Sequence, residues 1–214
     1  MIFPHCCALT HLMKLKIRQT EIEISYLLLC TAAAAVILNV FQSFVYCAAA
    51  VVIHESGHLI AMKRIGYFPK RIKISLFEIN IRDDSRQLRT AKENMLIIFF
   101  GPAANFICFL PAFLLYLIGT DRIFPFAAAN LSVGLFNLLP VMSLDGGQLL
   151  YLCLSRRMSP VQAEKTVCRA TLILIFPLAA VGFFILFHSQ YNFSLLCVCA
   201  YLVFSLITRQ ERYY

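Results

Sequence analysis

The sequence predicts an all-α, polytopic membrane protein with about six transmembrane helices and a small β-hairpin or strand element between helices 2 and 3. Three observations predict it. Of the 214 residues, 60% are apolar and 14% charged, against roughly 45–50% and roughly 25% in ordinary soluble chains. With a mean hydropathy of +0.76, the chain has too little polar surface for a soluble domain of this size and too many apolar residues for a disordered one. The apolar residues gather in runs near the roughly 20 that cross a bilayer, separated by short polar breaks. Finally, 18 of the 19 Lys and Arg lie in alternate breaks. That asymmetry is expected when those segments, both termini included, face the cytoplasm.

The elements follow in order. Residues 1–23 mix charges and apolar residues and carry no secretory signal. Residues 1–12 are expected to be an optional extension before Met13. From Ile24 to Met62 the one charge is Glu55, and the run is long enough for two spans with a tight turn at Asn39, Gln42 and Ser43. Residues 63–92 are polar and hold nine Lys and Arg. Within them Arg71–Leu76 alternates apolar and polar, and Phe77–Ile81 alternates in the opposite phase. This predicts strands with a bulge or turn near 76–77; an ordinary basic loop or a lipid-contacting segment remains the alternative. Residues 94–118 form the third span, and Asp121-Arg122 the next break. The apolar run 123–154 is interrupted at Asn137, Pro140, Asp145 and Gly146-Gly147. Runs at about 170–187 and 193–207 complete the six. The expected division is a cytoplasmic segment 1–23, a catalytic membrane core 24–154, and two C-terminal spans with a short tail, 155–214.

The net charge is +8. No basic stretch interleaves with stacking aromatics as a single-strand binder would need, so no nucleic-acid partner is expected. Nine cysteines form no CxxC pair, and most lie in apolar runs, which predicts small hydrophobes rather than a disulfide framework.

Of the eleven acidic residues, Glu55 and Asp145 alone lie deep in apolar runs. Ionisable groups there are costly, and their default reading is functional. Glu55 belongs to His54-Glu55-Ser56-Gly57-His58, an HExxH. On a helix the two imidazoles share a face and reach one zinc ion, with Glu55 beside it to take a proton from water. A catalytic zinc needs a third protein ligand and an open fourth place. His5, His11 and His188 fall at or beyond span ends, which leaves Asp145 as the candidate by elimination. Pro140 breaks the helix before it, and Gly146-Gly147 allow close backbone approach. Asn137 offers an amide near the break, either to the site or to another helix.

These residues resemble the site-2 protease family of intramembrane zinc metalloproteases. His54–His58, the segment Gly101-Pro102-Ala103-Ala104-Asn105, and Asn137-Leu-Leu-Pro140-Val-Met-Ser-Leu-Asp145-Gly146 look like that family's HExxH, GPxxN and NxxPxxxxDG motifs, in family order. The resemblance implies one Zn2+ per chain held by His54, His58 and Asp145, with Glu55 as general base and later acid. It implies that Asn105, Asn137 and Pro140 position substrate or the active-site loop. It also implies spans that open the zinc toward the cytoplasm, an edge strand that pairs with an unwound substrate, and a bacterial cell membrane as the location. Six spans with the HExxH on the second resemble the sporulation branch, which cleaves a membrane-associated pro-sigma factor. Ser143 departs from the Pro usual there, and the chain ends at Tyr214 without that branch's frequent nucleotide-sensing domain.

The expected activity is therefore zinc-dependent cleavage of a membrane-associated or transmembrane protein within the lipid bilayer, of the kind that processes a pro-sigma or anti-sigma factor, together with a regulatory membrane partner. The alternative is a metal- or proton-coupled transporter, since intramembrane acids and histidines also mark ion pathways. Against it, the chain lacks the mirrored broken helices of transporter repeats.

Overall fold

A computed structural model describes residues 12–17, 20–25, 33, 35–37, 39–67, 71–74, 79–82, 89–188 and 194–207. Most of the expected first span, the bend near 76–77 and the break at Gln190 and Asn192 lie outside the described residues. The described chain is mainly helical. Three of its helices are long and apolar enough to cross a membrane: Phe41–Ile65, Ala91–Leu117 and Pro160–Leu186. Large apolar side chains on them, such as Ile107, Ile173 and Phe176, are exposed, as befits an integral membrane protein whose solvent is lipid. The six described cysteines are free thiols.

The chain divides into two compact units, residues 1–133 and 134–214. The first begins with strands β1 (Leu12–Ile17) and β2 (Thr20–Ser25), paired antiparallel with Lys14 opposite Glu23. Ile24 thus lies in a strand and does not open the first span, and Glu21–Ser25 has the alternation that favours a strand. β2 pairs parallel with β3 (Arg71–Ile74), and β3 pairs antiparallel with β4 (Ile79–Arg82), giving a sheet in the order β1-β2-β3-β4.

Helix α1 (Phe41–Ile65) follows a turn at Asn39, whose φ is 56°. Asn is among the residues that tolerate the left-handed region. Gln42 and Ser43, expected in the turn, already belong to the helix. α1 closes at Gly66 with φ 90°, where the amides of Gly66 and Tyr67 return to the carbonyls of Lys63 and Met62. That pairing is the Schellman closure that suits glycine. Helix α2 (Ala91–Leu117) starts in a capping box: the Thr90 hydroxyl accepts from the Glu93 amide while the Glu93 carboxylate accepts from the Thr90 amide. Helices α1 and α2 pack through small residues. Ala50, Gly57 and Ala61 are buried along α1, and a Cβ on Gly57 would collide with the Phe100 carbonyl of α2. Such stripes allow close helix approach where lipid offers no hydrophobic drive. A 3-10 turn at Asp121–Ile123 leads into α3 (Phe124–Asn137).

The second unit takes the end of α3, an irregular stretch 138–144, and helices α4 (Asp145–Leu154), α5 (Pro160–His188) and α6 (Ser194–Ile207). Val141 and Leu144 of the irregular stretch join Ile175 and Leu202 in one buried cluster. α5 begins about ten residues before the apolar run that announced it. Ser159-Pro160 is the reason: Pro is preorganised for the first helical position, and the Ser159 carbonyl and hydroxyl accept from the amides of Ala163 and Gln162.

Candidate metal centre

His54 and His58 stand one turn apart on α1, their rings nearly perpendicular at 84° and their centroids 4.8 Å apart. The surrounding hydrogen bonds fix which nitrogen of each ring carries the proton. Asn105 of α2 is fully buried, and its Nδ2 donates to the Ala50 carbonyl at 2.8 Å and to Asn130 Oδ1 at 3.1 Å. Its Oδ1 therefore faces His54 Nδ1, 2.8 Å away. An amide oxygen only accepts, so His54 Nδ1 is the donor. His58 Nδ1 lies 2.8 Å from the Ile97 carbonyl and donates for the same reason. In the neutral rings the lone pairs then sit on both Nε2 atoms, which are 3.2 Å apart.

Two lone pairs at that separation repel unless a cation lies between them. Zinc–imidazole bonds of about 2.05 Å at the tetrahedral angle put two nitrogens about 3.3 Å apart. The second hydrogen bond on each ring is the usual means of fixing tautomer and orientation in metal-binding histidines. Gly101 keeps the space beside the nitrogens clear, because a Cβ there would overlap the His58 ring.

In the second unit, Asp145 is buried and opens α4. The irregular stretch before it doubles back over the first turn of the helix. A Cβ on Gly146 would strike the Leu138 carbonyl, and one on Gly147 the Val141 carbonyl. Two glycines in succession are thus required by backbone approach. Pro140 is half-buried in this stretch and Asn137 ends α3 just ahead of it.

Each unit by itself thus offers donors of the kind zinc takes: the two Nε2 atoms of His54 and His58 in the first, and the buried carboxylate of Asp145 in the second. Two imidazole nitrogens and one carboxylate oxygen suit zinc, and three protein donors leave one coordination place for water. Glu55 is half-buried between the two histidines in the chain. Asn105 spends both ends of its amide inside the protein, on His54, Ala50 and Asn130.

Two residues escaped the sequence reading. Asn130, fully buried on α3, holds Asn105 and donates to the Phe126 carbonyl at 3.0 Å. An amide in the middle of an apolar run was the available signal. Thr171, fully buried on α5, touches the stretch before Asp145. A lone threonine at the start of a span gives no such signal, because its hydroxyl is usually satisfied by its own helix.

Comparison with known proteins follows the same direction. Residues 118–178 match the family model described as Peptidase family M50. Stage IV sporulation protein FB from Bacillus subtilis (strain 168) is 28% identical over an alignment of 170 residues that covers 77% of this chain and 57% of that protein. The chain thus spans little more than half the length of this relative. Its fold is similar to that of Site-2 Protease from Methanocaldococcus jannaschii, with a TM-score of 0.70 over 95% of this chain and 97% of that one, at 21% identity. The family model thus matches the segment that holds Asn137, Pro140 and Asp145, and the likeness to the solved structure shows the fold.

Proposed function

We propose that this chain is a zinc-dependent intramembrane endopeptidase that cuts a membrane-associated or transmembrane protein. The observation that carries the reading is the histidine pair: two imidazoles whose Nδ1 protons are already committed to Asn105 and Ile97 and whose Nε2 atoms lie 3.2 Å apart. His54, His58 and Asp145 would hold one zinc ion. When bound, it supplies a Lewis acid that polarises the scissile carbonyl and makes water acidic enough to ionise near neutral pH.

The remaining chemistry belongs to the chain. Glu55 takes a proton from the attacking water as its oxygen bonds to the carbonyl carbon. It returns that proton to the amide nitrogen as the C–N bond breaks, leaving a carboxylic acid and an amine. Asn137 and Pro140 border the stretch against which an extended substrate would be set. Asn105 acts one step back, by holding the His54 ring. The apolar surroundings keep bulk water from the site and strengthen each of these interactions.

Six spans, a catalytic core at 24–154, cytoplasmic termini in a bacterial membrane and a regulatory membrane partner complete the proposal. The name of the Bacillus subtilis relative suggests a substrate used in sporulation.

The test is zinc content and cleavage by the full chain in detergent, against a panel of single-span membrane proteins. We expect about one zinc per chain, lost in His58→Ala and Asp145→Ala. Glu55→Gln should keep the zinc and cleave nothing. Full cleavage by Glu55→Gln would overturn the mechanism. Metal-dependent flux in proteoliposomes without cleavage would replace the protease by a transporter.

A further inference from the structure

We propose that Thr171 is a positioning residue for Asp145: its hydroxyl pins the irregular backbone from which the aspartate is presented. The inference rests on the zinc reading for its consequence, but its geometry lies wholly within residues 134–214. Residues 138–144 form neither helix nor strand, and backbone polar groups in such a stretch, away from water, must find partners inside the protein. Part of the need is met locally. The amides of Leu138, Leu139, Val141 and Leu144 return to the carbonyls of Leu135, Phe136, Leu139 and Val141, and Pro140 has no amide to satisfy. Met142, almost fully buried, turns its amide outward to Thr171 Oγ1 at 3.2 Å. The same oxygen lies 3.2 Å from the Pro140 carbonyl and 2.9 Å from the carbonyl of Val167, one turn back on its own helix.

One hydroxyl thus accepts from the loop at Met142 and has its proton within reach of the loop at Pro140. It grips the chain on both sides of Val141, four residues before Asp145. The ordinary role of a threonine in a membrane helix is the bond to its own i−4 carbonyl. Thr166 supplies the comparison, because it makes that bond to Gln162 at 2.8 Å on an exposed face. Thr171 makes it too, and adds the loop.

The experiment measures zinc affinity by chelator competition, and amide exchange at Met142, in the full chain. The variants are Thr171→Val, Thr171→Ser and Thr166→Val. Thr171→Val keeps the shape and removes the hydroxyl. We expect it to weaken zinc binding roughly 10–100-fold, the range typical of groups that orient a ligand, and to speed exchange at Met142. Thr171→Ser and Thr166→Val should bind zinc as the wild type does. A general loosening of the fold would instead speed amide exchange along α5 as well, which Thr171→Val should leave as in the wild type. Wild-type affinity and an unchanged Met142 amide in Thr171→Val would overturn the proposal.

Failure of the zinc reading has a different signature. The wild type would then hold no zinc, or Asp145→Ala would keep it, and exchange at Met142 alone would decide the role of Thr171. Should Thr171→Val not fold, the wild type still decides. Its Met142 amide should exchange as slowly as those of the neighbouring helices, and fast exchange there overturns the proposal.

Discussion

Residues 1–133 and residues 134–214 position their parts of the candidate site by different means. In the first, His54 and His58 ride on an unbroken helix of 25 residues. The backbone gives their spacing, and the hydrogen bonds that the rings donate to Asn105 Oδ1 and the Ile97 carbonyl give the rotation of each ring. In the second, Asp145 follows a stretch with no regular structure, held by two glycines that admit backbone contact and by a hydroxyl from another helix. A regular helix is over-determined by its own repeating bonds, so an error at one side chain stays local. An irregular stretch has no repeating bonds to fall back on, and its geometry rests on a few contacts.

The largest expected effect breaks the weaker arrangement. Gly147→Ala drives a Cβ into the Val141 carbonyl and Met142 Cα, backbone atoms that cannot swing aside. A loss of about 3 kcal/mol is expected, the upper end for overpacking, together with loss of zinc. Gly101→Ala is the matched change on the histidine side. Its Cβ meets the rings of His58 and His54, which are side chains and can rotate. It should cost less stability, about 1 kcal/mol, yet still abolish zinc binding by turning a ligand away. Thermal unfolding in detergent and zinc content, measured on both variants, check the contrast. A Gly101→Ala chain less stable than Gly147→Ala would reverse it.

The sequence showed the histidine side more clearly than the aspartate side for the same physical reason. HExxH at helical spacing already implies two imidazoles on one face, since helix geometry is the same in every helix. Asp145 was legible as a charge too deep to be idle, and Pro140 with Gly146-Gly147 as a break beside it. What the break looks like depends on which distant groups satisfy its backbone, and neither Thr171 nor its partner Met142 advertises that pairing. Asn130 was hidden differently: it supports the site through Asn105, and no motif spacing points to it. The early start of α5 was legible in Ser159-Pro160, but the polar residues that follow looked like a loop.

An intermediate effect sharpens the histidine side. Asn105→Ala removes the acceptor of His54 Nδ1 and leaves Asn130 Oδ1 without its donor from Asn105. Losing partners for buried polar groups should cost about 2 kcal/mol, and freeing the His54 ring should weaken zinc by roughly 10–100-fold. Asn105→Asp can still accept from His54 but cannot donate to Ala50 or Asn130. It should recover zinc binding better than it recovers stability. If both variants lost the two in equal proportion, Asn105 would be a packing residue and the ring's orientation would have another source.

The smallest effect lies at the start of α2, far along the helix from Asn105. Thr90→Ala removes the hydroxyl that accepts from the Glu93 amide, and a lost cap of this kind costs about 1 kcal/mol. The ring-orienting groups Ile97 and Asn105 sit in the second turn and beyond, where the helix is held by its own bonds and by α1. Fraying of the first turn should therefore not reach them. Zinc affinity is expected to match the wild type while the unfolding temperature falls slightly. A parallel loss of zinc would mean that the histidine side draws its precision from the helix end. The regular unit would then be no less dependent on single contacts than the irregular one.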